Sequence, residues 1–431
     1  MTWQNWARSE SITPQRVAHV TDQAEIAAAI AYASQNNMKV KAVGAGHSFT
    51  GIAAAPGIQL NLSGLSGLLA VDAAQQTVTL AAGTHLHQVP KLLASHGLAM
   101  INLGDIDAQT ISGATSTGTH GTGASFGGLA TQITGLSMIT ADLSVLDISA
   151  HQHAELFHAA RLGLGALGII TSVTVQCVSA FQLHAVERPE PLQDVLDNWE
   201  ARATGPDHFE FYWFPHTPTA LTKTNTRLPL TAPSQPLGGF KRWIDDDLMA
   251  NKVFGLVCSL GKAFPSVIPP VNRLAQKLTG DREFTDVSTS VFTTMRKVRF
   301  REMEYALPRS VIPAVLRDID SLIKARGWRI SFPLEVRAAA PDDLWLSTAY
   351  GRETGYIAVH RYFKEDHYEY FQAVEQIFRA YEGRPHWGKI HYQDAASLSK
   401  LYPRFGDFVA VRDKLDPNRL FSNDYLNRVL G

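Results

Sequence analysis

Charge and glycine are divided unevenly along this chain, and that division limits the possible folds more than any single motif does. Residues 1–180 hold six of the 39 lysines and arginines and nine of the 40 aspartates and glutamates, but 19 of the 32 glycines. Backbone without a Cβ can approach another group closely. Such a segment suits either a polyanionic cofactor held by main-chain N–H groups or a glycine-rich β domain of tight turns, and composition leaves the two level. The charge-rich remainder sets a compositional boundary near residue 180. At 431 residues the chain has room for two to three domains. Its net charge of -1 gives no overall attraction to nucleic acid or an anionic membrane. The two cysteines, Cys177 and Cys258, exclude a disulfide scaffold and a four-cysteine metal site.

The first part reads as α+β. A strand is predicted at Arg16–Val20, then a helix opened by a capping box of Asp22 and Glu25, then a strand at Lys39–Val43. Further strands are predicted at Ile58–Leu62, Thr77–Ala81, Ile133–Thr140 and Gly168–Cys177, with helices near Leu86–Ser95 and Ala154–Arg161. The second part predicts a sheet covered by helices: strands at Arg329–Ala338 and Gly355–Tyr362, helices at Ile312–Arg326 and Asp366–Tyr381. Pro215–Gly239, with five prolines, reads as an irregular connection.

Two glycine-rich runs carry most of the chemistry. Gly44-Ala-Gly-His-Ser48 follows a strand and offers successive N–H groups, an anion-binding nest. Ser112–Gly123 mixes glycine with hydroxyl side chains, so the pair suggests a diphosphate gripped from both sides. Gly163-Leu-Gly-Ala-Leu-Gly168 matches the dinucleotide fingerprint literally. It joins a helix to a strand, however, the reverse of the order that puts pyrophosphate on a helix N-terminus. His85-x-His87 and His151-x-His153 lack a third ligand at a recognised spacing, so no metal is expected. In the strand at 329–338, Glu335 and Arg337 share one face, and Tyr356, His360 and Tyr362 share a face of the next strand. These faces line either a substrate pocket or an ordinary amphipathic sheet with a cross-strand ion pair.

Taken in order, Gly44-x-Gly-His-Ser48, Thr117–Gly123, Gly165–Gly168, His386-Trp-Gly-Lys389 and Asp416-Pro-Asn-Arg-Leu-Phe421 resemble the aldonolactone oxidoreductases. These are the L-gulono- and D-arabinono-1,4-lactone oxidases and dehydrogenases of the vanillyl-alcohol-oxidase type, to which the alditol oxidases are related; the stretch Lys297–Pro308 adds to the likeness. The resemblance implies a two-lobed FAD-binding domain at 1–178 and an α+β cap with an antiparallel sheet at 179–431, whose segment from about 386 returns to the flavin. It implies FAD attached through His47 and held by Val43, Gly44, Ala45, Gly46, Ser48, Thr110, Gly113, Thr115, Gly118, Thr122, Gly123, Ala124, Ser125, Ile170 and His386, with Ile169 nearby. Glu335, Arg337, His360 and Lys389 would be catalytic, with Thr110, Glu335, Arg337, Tyr362 and Lys389 on the substrate. Lys389 or Arg337 would supply positive charge beside the reduced flavin, and His360 and Glu335 both stand as proton acceptor. Thr110 replaces the serine of the alditol oxidases, which counts against their substrate preference.

The expected reaction is oxidation of a sugar 1,4-lactone at its C2 hydroxyl, with alditol oxidation releasing hydrogen peroxide as the alternative and a flavin-binding protein without turnover as the rival of another class. The expected electron acceptor is oxygen or a quinone or cytochrome. The opening residues show no basic stretch followed by an apolar run, and no run of eighteen apolar residues occurs, so the expected compartment is the cytoplasm, with peripheral membrane contact left open.

Overall fold

A computed structural model describes residues 2–238, 254–278, 281–294 and 298–431; Gly239 and Lys297 fall outside them. The first lobe is a three-stranded parallel sheet of β1 (Arg16–His19), β2 (Val40–Val43) and β3 (Ile58–Asn61), with β3 central. Helix α1 (Gln23–Gln35) crosses between β1 and β2 and buries Ile26, Ile30 and Ala33. Its start obeys the sequence signal with one shift. Asp22 accepts from the Glu25 N–H at 2.8 Å, and the Glu25 carboxylate reaches back to the Thr21 N–H rather than to that of Asp22.

The second lobe is antiparallel: β4 (Leu68–Asp72), β5 (Thr77–Ala81), β6 (Leu98–Met100), a short helix α2 (Ile111–Ser116), β7 (Ile133–Ile139), β8 (Val145–Ser149) and β9 (Ile169–Ser179). Its strand order is β8-β7-β9-β5-β4, with β6 also on β9. The run at 163–168 is a turn between a helix (Ala154–Ala160) and β9, as its position in the sequence predicts.

An eight-stranded antiparallel sheet makes up the rest: β10 (Phe181–Pro191), β11 (His208–Trp213), β12 (Thr219–Pro229), β13 (Arg282–Val287), β14 (Phe300–Pro308), β15 (Leu334–Ala339), β16 (Thr354–Tyr362) and β17 (Arg384–Pro385), in the order β13-β10-β12-β11-β15-β16-β14-β17. Helices α3 (Ile312–Arg326) and α4 (Tyr368–Ala380) cover one face. In α3, Ile312, Val315, Leu316, Ile319 and Ile323 are buried, each worth about 1.5–3 kcal/mol, and Gly327 ends the helix at φ +64°.

Two expectations are corrected. Pro215–Gly239 is not irregular throughout, because Thr219–Pro229 pairs along eleven residues with β10; its prolines sit at the ends, where no ladder N–H is lost. The strand predicted from Arg329 begins at Leu334, since Pro333 has no N–H to enter the ladder.

The chain then returns to the first lobe. Lys39 donates to the carbonyls of Asn418 and Arg419, and Lys41 to that of Phe421. Asn423 donates to the carbonyls of Gly51, Ile52 and Ala54.

Candidate active site

Past β2 the chain turns through Gly44–Ser48 beside a cleft of about 860 Å³. Close approach explains the glycines. A Cβ on Gly44 would lie 2.5 Å from Thr110 Oγ1 and one on Gly168 2.7 Å from Ile139 O, while Gly46 holds φ +68°. Val43, Ala45, Ser48, Thr110, Ser112, Gly113, Ser116, Thr117, Ile169 and Ile170 also line the cleft. Glycine main chain and the hydroxyls of Ser48, Thr110, Ser112, Ser116 and Thr117 share the wall with apolar Ile52, Leu62, Leu164, Ile169 and Ile170, with Lys41 the one lysine or arginine and no acid among the lining residues. That donor-rich wall fits an anionic dinucleotide such as FAD.

A second cavity of about 510 Å³ adjoins it, and His47, Ser48, Gln109 and Thr117 line both. The His47 ring stacks on Trp6 at 5.5 Å and 20°. The loop is fastened from the N-terminal segment, where the Trp6 N–H donates to Gly46 O and Asn5 donates to Ser48 O. Burial, and then the charges of Lys389 and His85, push the His47 pKa down to about 4, so the ring stays neutral at neutral pH.

The opposite wall comes from the large sheet. Glu335 pairs with Ala358 and Arg337 with Tyr356, while Glu302 pairs with His360 and Glu304 with Ala358. Strand alternation therefore gathers Glu335, Arg337, Tyr356, His360, Glu302 and Glu304 on one face and leaves Val336, Ile357, Val359 and Met303 for the core under α3 and α4. Arg337 pairs with Glu335 on its own strand, with Glu210 at 2.9 Å and with Asp105 at 3.4 Å. Burial opposes its charge, but Glu335, Asp105 and Glu210 together hold its pKa well above the arginine value.

The His386–Lys389 element enters from the far end of the sheet and is pinned by its tryptophan. Trp387 Nε1 donates to Leu346 O at 2.7 Å, its ring stacks on Tyr402, and Gly388 O accepts from the Phe49 N–H at 2.7 Å. His386 and Lys389 thus line the cavity together with His47 and Ser48, against whose loop Gly388 packs. The Lys389 ammonium donates to Glu302; burial works against it, and Glu302 with Glu304 outweighs burial and raises its pKa above the ordinary value. Lys389 is therefore held in its charged form. Burial pushes the His386 pKa down to about 4 despite Glu304, and its Nδ1 accepts from the Gly388 N–H.

Several expected site residues lie elsewhere. Tyr362, Glu335 and His360 are not among those lining the second cavity. The Tyr362 hydroxyl meets Ser259, and Glu335 accepts from Tyr212 and Arg337. His360 Nδ1 is hydrogen-bonded to Pro333 O at 2.8 Å and its Nε2 lies 3.6 Å from Glu302 Oε1, so both nitrogens face groups of the sheet itself. The ion pair expected across strands is present between Arg337 of β15 and Glu210 of β11, and Arg337 pairs with Glu335 within its own strand as well. In the first cleft, Thr115 is tied to the Ile111 and Ser112 carbonyls, and Gly118, at φ +80°, packs against Leu162. Thr122 and Gly123 dock on β15 instead of lining the cleft: the Gly123 N–H donates to Ala338 O, and Thr122 donates to Phe209 O while accepting from the Ala338 N–H. Ala124 packs against the core of the large sheet, and Ser125 is exposed.

Asp105, His120, Glu304 and Lys41 line the two cavities although the sequence did not single them out. Only the alternation of Glu302 and Glu304 with Met303 and Tyr305 signalled a polar face on β14. His120 Nε2 lies 3.3 Å from Glu304, and the ring stacks on Tyr356 at 3.6 Å. His120, Glu304 and His386 bring ligand-type atoms within 4.8 Å of one another, as do Glu302, Glu335 and His360; in the second group Lys389 pairs with Glu302 and Arg337 with Glu335, and in the first His120 itself pairs with Glu304.

Residues 14–149 match the family described as FAD binding domain, and residues 173–429 match the family described as D-arabinono-1,4-lactone oxidase. The chain is 44% identical over 429 residues to an L-gulono-1,4-lactone dehydrogenase of Mycobacterium tuberculosis, covering 100% of this chain and 99% of that protein. It is 33% identical over 436 residues to the L-gulonolactone oxidase of Bos taurus, covering 99% of this chain and 98% of that one. To an alditol oxidase of a Streptomyces species it is 28% identical over 443 residues, covering 99% and 98%. Among solved structures, cholesterol oxidase from B. sterolicum superposes with a TM-score of 0.86 at 18% identity, covering 100% of this chain and 96% of that one, a likeness of fold alone.

Proposed function

The chain belongs to the D-arabinono-1,4-lactone oxidase family of FAD-dependent oxidoreductases acting on CH–OH groups, and on that premise we propose that it oxidises an L-gulono-1,4-lactone-like sugar lactone at its C2 hydroxyl to an ascorbate-type product. The observation that carries this reading is the polar cavity beside His47, where Arg337, Lys389, Asp105, Glu304, His120 and His386 converge. We take residues 1–178 as the FAD-binding part and 179–431 as the cap, with 386–431 returning to the flavin.

In this reading Val43–Ser48, Thr110, Gly113 and Ile170 hold the cofactor, and a neutral His47 imidazole is the form able to bond covalently to it. FAD, when bound, supplies the acceptor for the hydride that leaves the carbinol carbon. Arg337 and Lys389 fix the substrate oxygens and hold positive charge where negative charge develops. The proton acceptor is assigned to Asp105, a carboxylate of the cavity wall, ahead of His360 and Glu335 and of Glu304, whose carboxylate, against the effect of burial, His120 holds well below the usual range. The Trp387 anchor keeps Lys389 in position and so limits the reorganisation that the reaction requires.

Substrate profiling tests the reading. L-Gulono- and L-galactono-1,4-lactone are expected to reduce the flavin at least tenfold more efficiently than xylitol or sorbitol; preference for the alditols would transfer the assignment to alditol oxidation. Peroxide formed in air, set against reduction of a quinone or cytochrome c, identifies the acceptor. Among the described residues no helix is long and apolar enough to cross a membrane.

A second expected result concerns attachment. Flavin absorbance should stay with the acid-precipitated protein, and His47→Ala should release it to the supernatant while FAD still binds. Acid-stable flavin in His47→Ala would assign the bond to another residue.

A further inference from the structure

Lys41 is a buried amine that neither the reaction nor cofactor attachment uses. On β2, Val40 and Ala42 pack into the core under α1, while Lys41 and Val43 face the large cleft. Lys41 is 3% exposed. Two of its three N–H donors have neutral partners, Gly165 O at 2.9 Å and Phe421 O at 3.0 Å. No carboxylate of the described residues lies within 4 Å of it. Asp416 is the titratable group acting on it, but the Asp416 oxygens are committed to the N–H groups of Leu420 at 2.7 Å and Phe421 at 2.8 Å. The neighbouring cations are engaged elsewhere: Lys39 with the Asn418 and Arg419 carbonyls, Arg419 with Asp413 and Gly431 O. A buried cation without a counter-charge is strongly unfavourable, and this one sits in the wall of a cleft that is otherwise free of lysine, arginine and acid.

We propose that the Lys41 ammonium is the counter-ion for the diphosphate of bound FAD and that cofactor binding draws one proton from solvent onto this amine. The two carbonyls hold the amine at the junction of the 163–168 turn and the returning segment, leaving its third donor for an anion in the cleft. Burial, only partly offset by Asp416, pushes the amine down to about 7 without ligand. A nearby diphosphate opposes that shift, so above pH 7 binding and protonation reinforce each other.

The test uses His47→Ala protein freed of FAD, so that binding is reversible; whether that variant retains acid-stable flavin bears on attachment and not on Lys41. FAD and riboflavin are titrated by flavin fluorescence from pH 6.5 to 9, and proton uptake is measured by calorimetry in two buffers of different ionisation enthalpy. Lys41→Met is expected to weaken FAD at least tenfold and leave riboflavin unchanged. Lys41→Arg should keep FAD affinity but abolish the uptake of close to one proton at pH 8. Equal FAD affinity in Lys41→Met, equal weakening of FAD and riboflavin, or undiminished proton uptake in Lys41→Arg would each overturn the proposal. If Lys41→Met does not fold, the arginine variant decides by proton uptake alone.

Discussion

Lys389→Met is expected to slow reduction of the bound flavin by L-gulono-1,4-lactone about 10²–10³-fold, the range for losing one preorganised charge at a reacting centre. The expectation rests on the ammonium's place in the cavity wall and on the carboxylates that keep it charged. Because its pKa is raised, the charge is complete at every pH below the ordinary lysine value, so the rate should show no rise between pH 7 and 9 from deprotonation of this group. FAD content should not change, since Lys389 does not line the first cleft. Anaerobic stopped-flow reduction measures the effect. A loss under threefold, or a wild-type rate that climbs with pH while Lys389→Met is flat, would end the assignment of a fixed cation.

The second large effect is on stability. Arg337→Met leaves buried Glu335 and Glu210 and part-buried Asp105 around an uncharged side chain, and breaking a buried pair in this way costs about 3–5 kcal/mol. Glu210 is partly protected, because Lys223 Nζ lies 3.7 Å away. Adding Glu210→Gln to Arg337→Met should therefore recover only part of the loss, read as the shift in urea midpoint of the FAD-loaded protein. Within the native protein Glu210 is held below the usual carboxylate range; burial opposes this and Arg337 with Lys223 prevails. Its contribution to stability is thus present above the unfolded carboxylate pKa and is lost as pH falls through the lower folded value. Arg337→Met should blunt that acid sensitivity. A change under 1 kcal/mol would mean that water or relaxation compensates the three acids.

How far the sequence could be read depended on the range of the interactions involved. Period-two alternation placed Glu335 and Arg337 on one face of β15, and glycine spacing identified Gly44–Ser48 and Gly113, because both are local consequences of backbone geometry. Thr122 and Gly123 carry the same composition but dock on β15, and composition does not distinguish a loop that faces a ligand from one that faces another strand. Asp105 and Glu304 reach the cavity through the joining of separate segments. His360 and Tyr362 have the right side chains on the right face, yet Glu302, Pro333 O and Ser259 claim their polar atoms. The strand at 334–339 started late for a local reason, Pro333, that the sequence does contain.

The carbonyls that receive Lys39, and one of the two that receive Lys41, belong to residues some 380 positions further along the chain. During synthesis, which proceeds at about 5–20 residues per second, β2 therefore waits roughly twenty seconds or more for the segment that fastens its two lysines. Asn423, which clamps Gly51–Ala54, arrives later still. A product lacking residues 416–431 would therefore keep every cleft-lining residue, all of which lie between 41 and 170, but with Lys41 deprived of its Phe421 carbonyl and Gly51–Ala54 left unclamped.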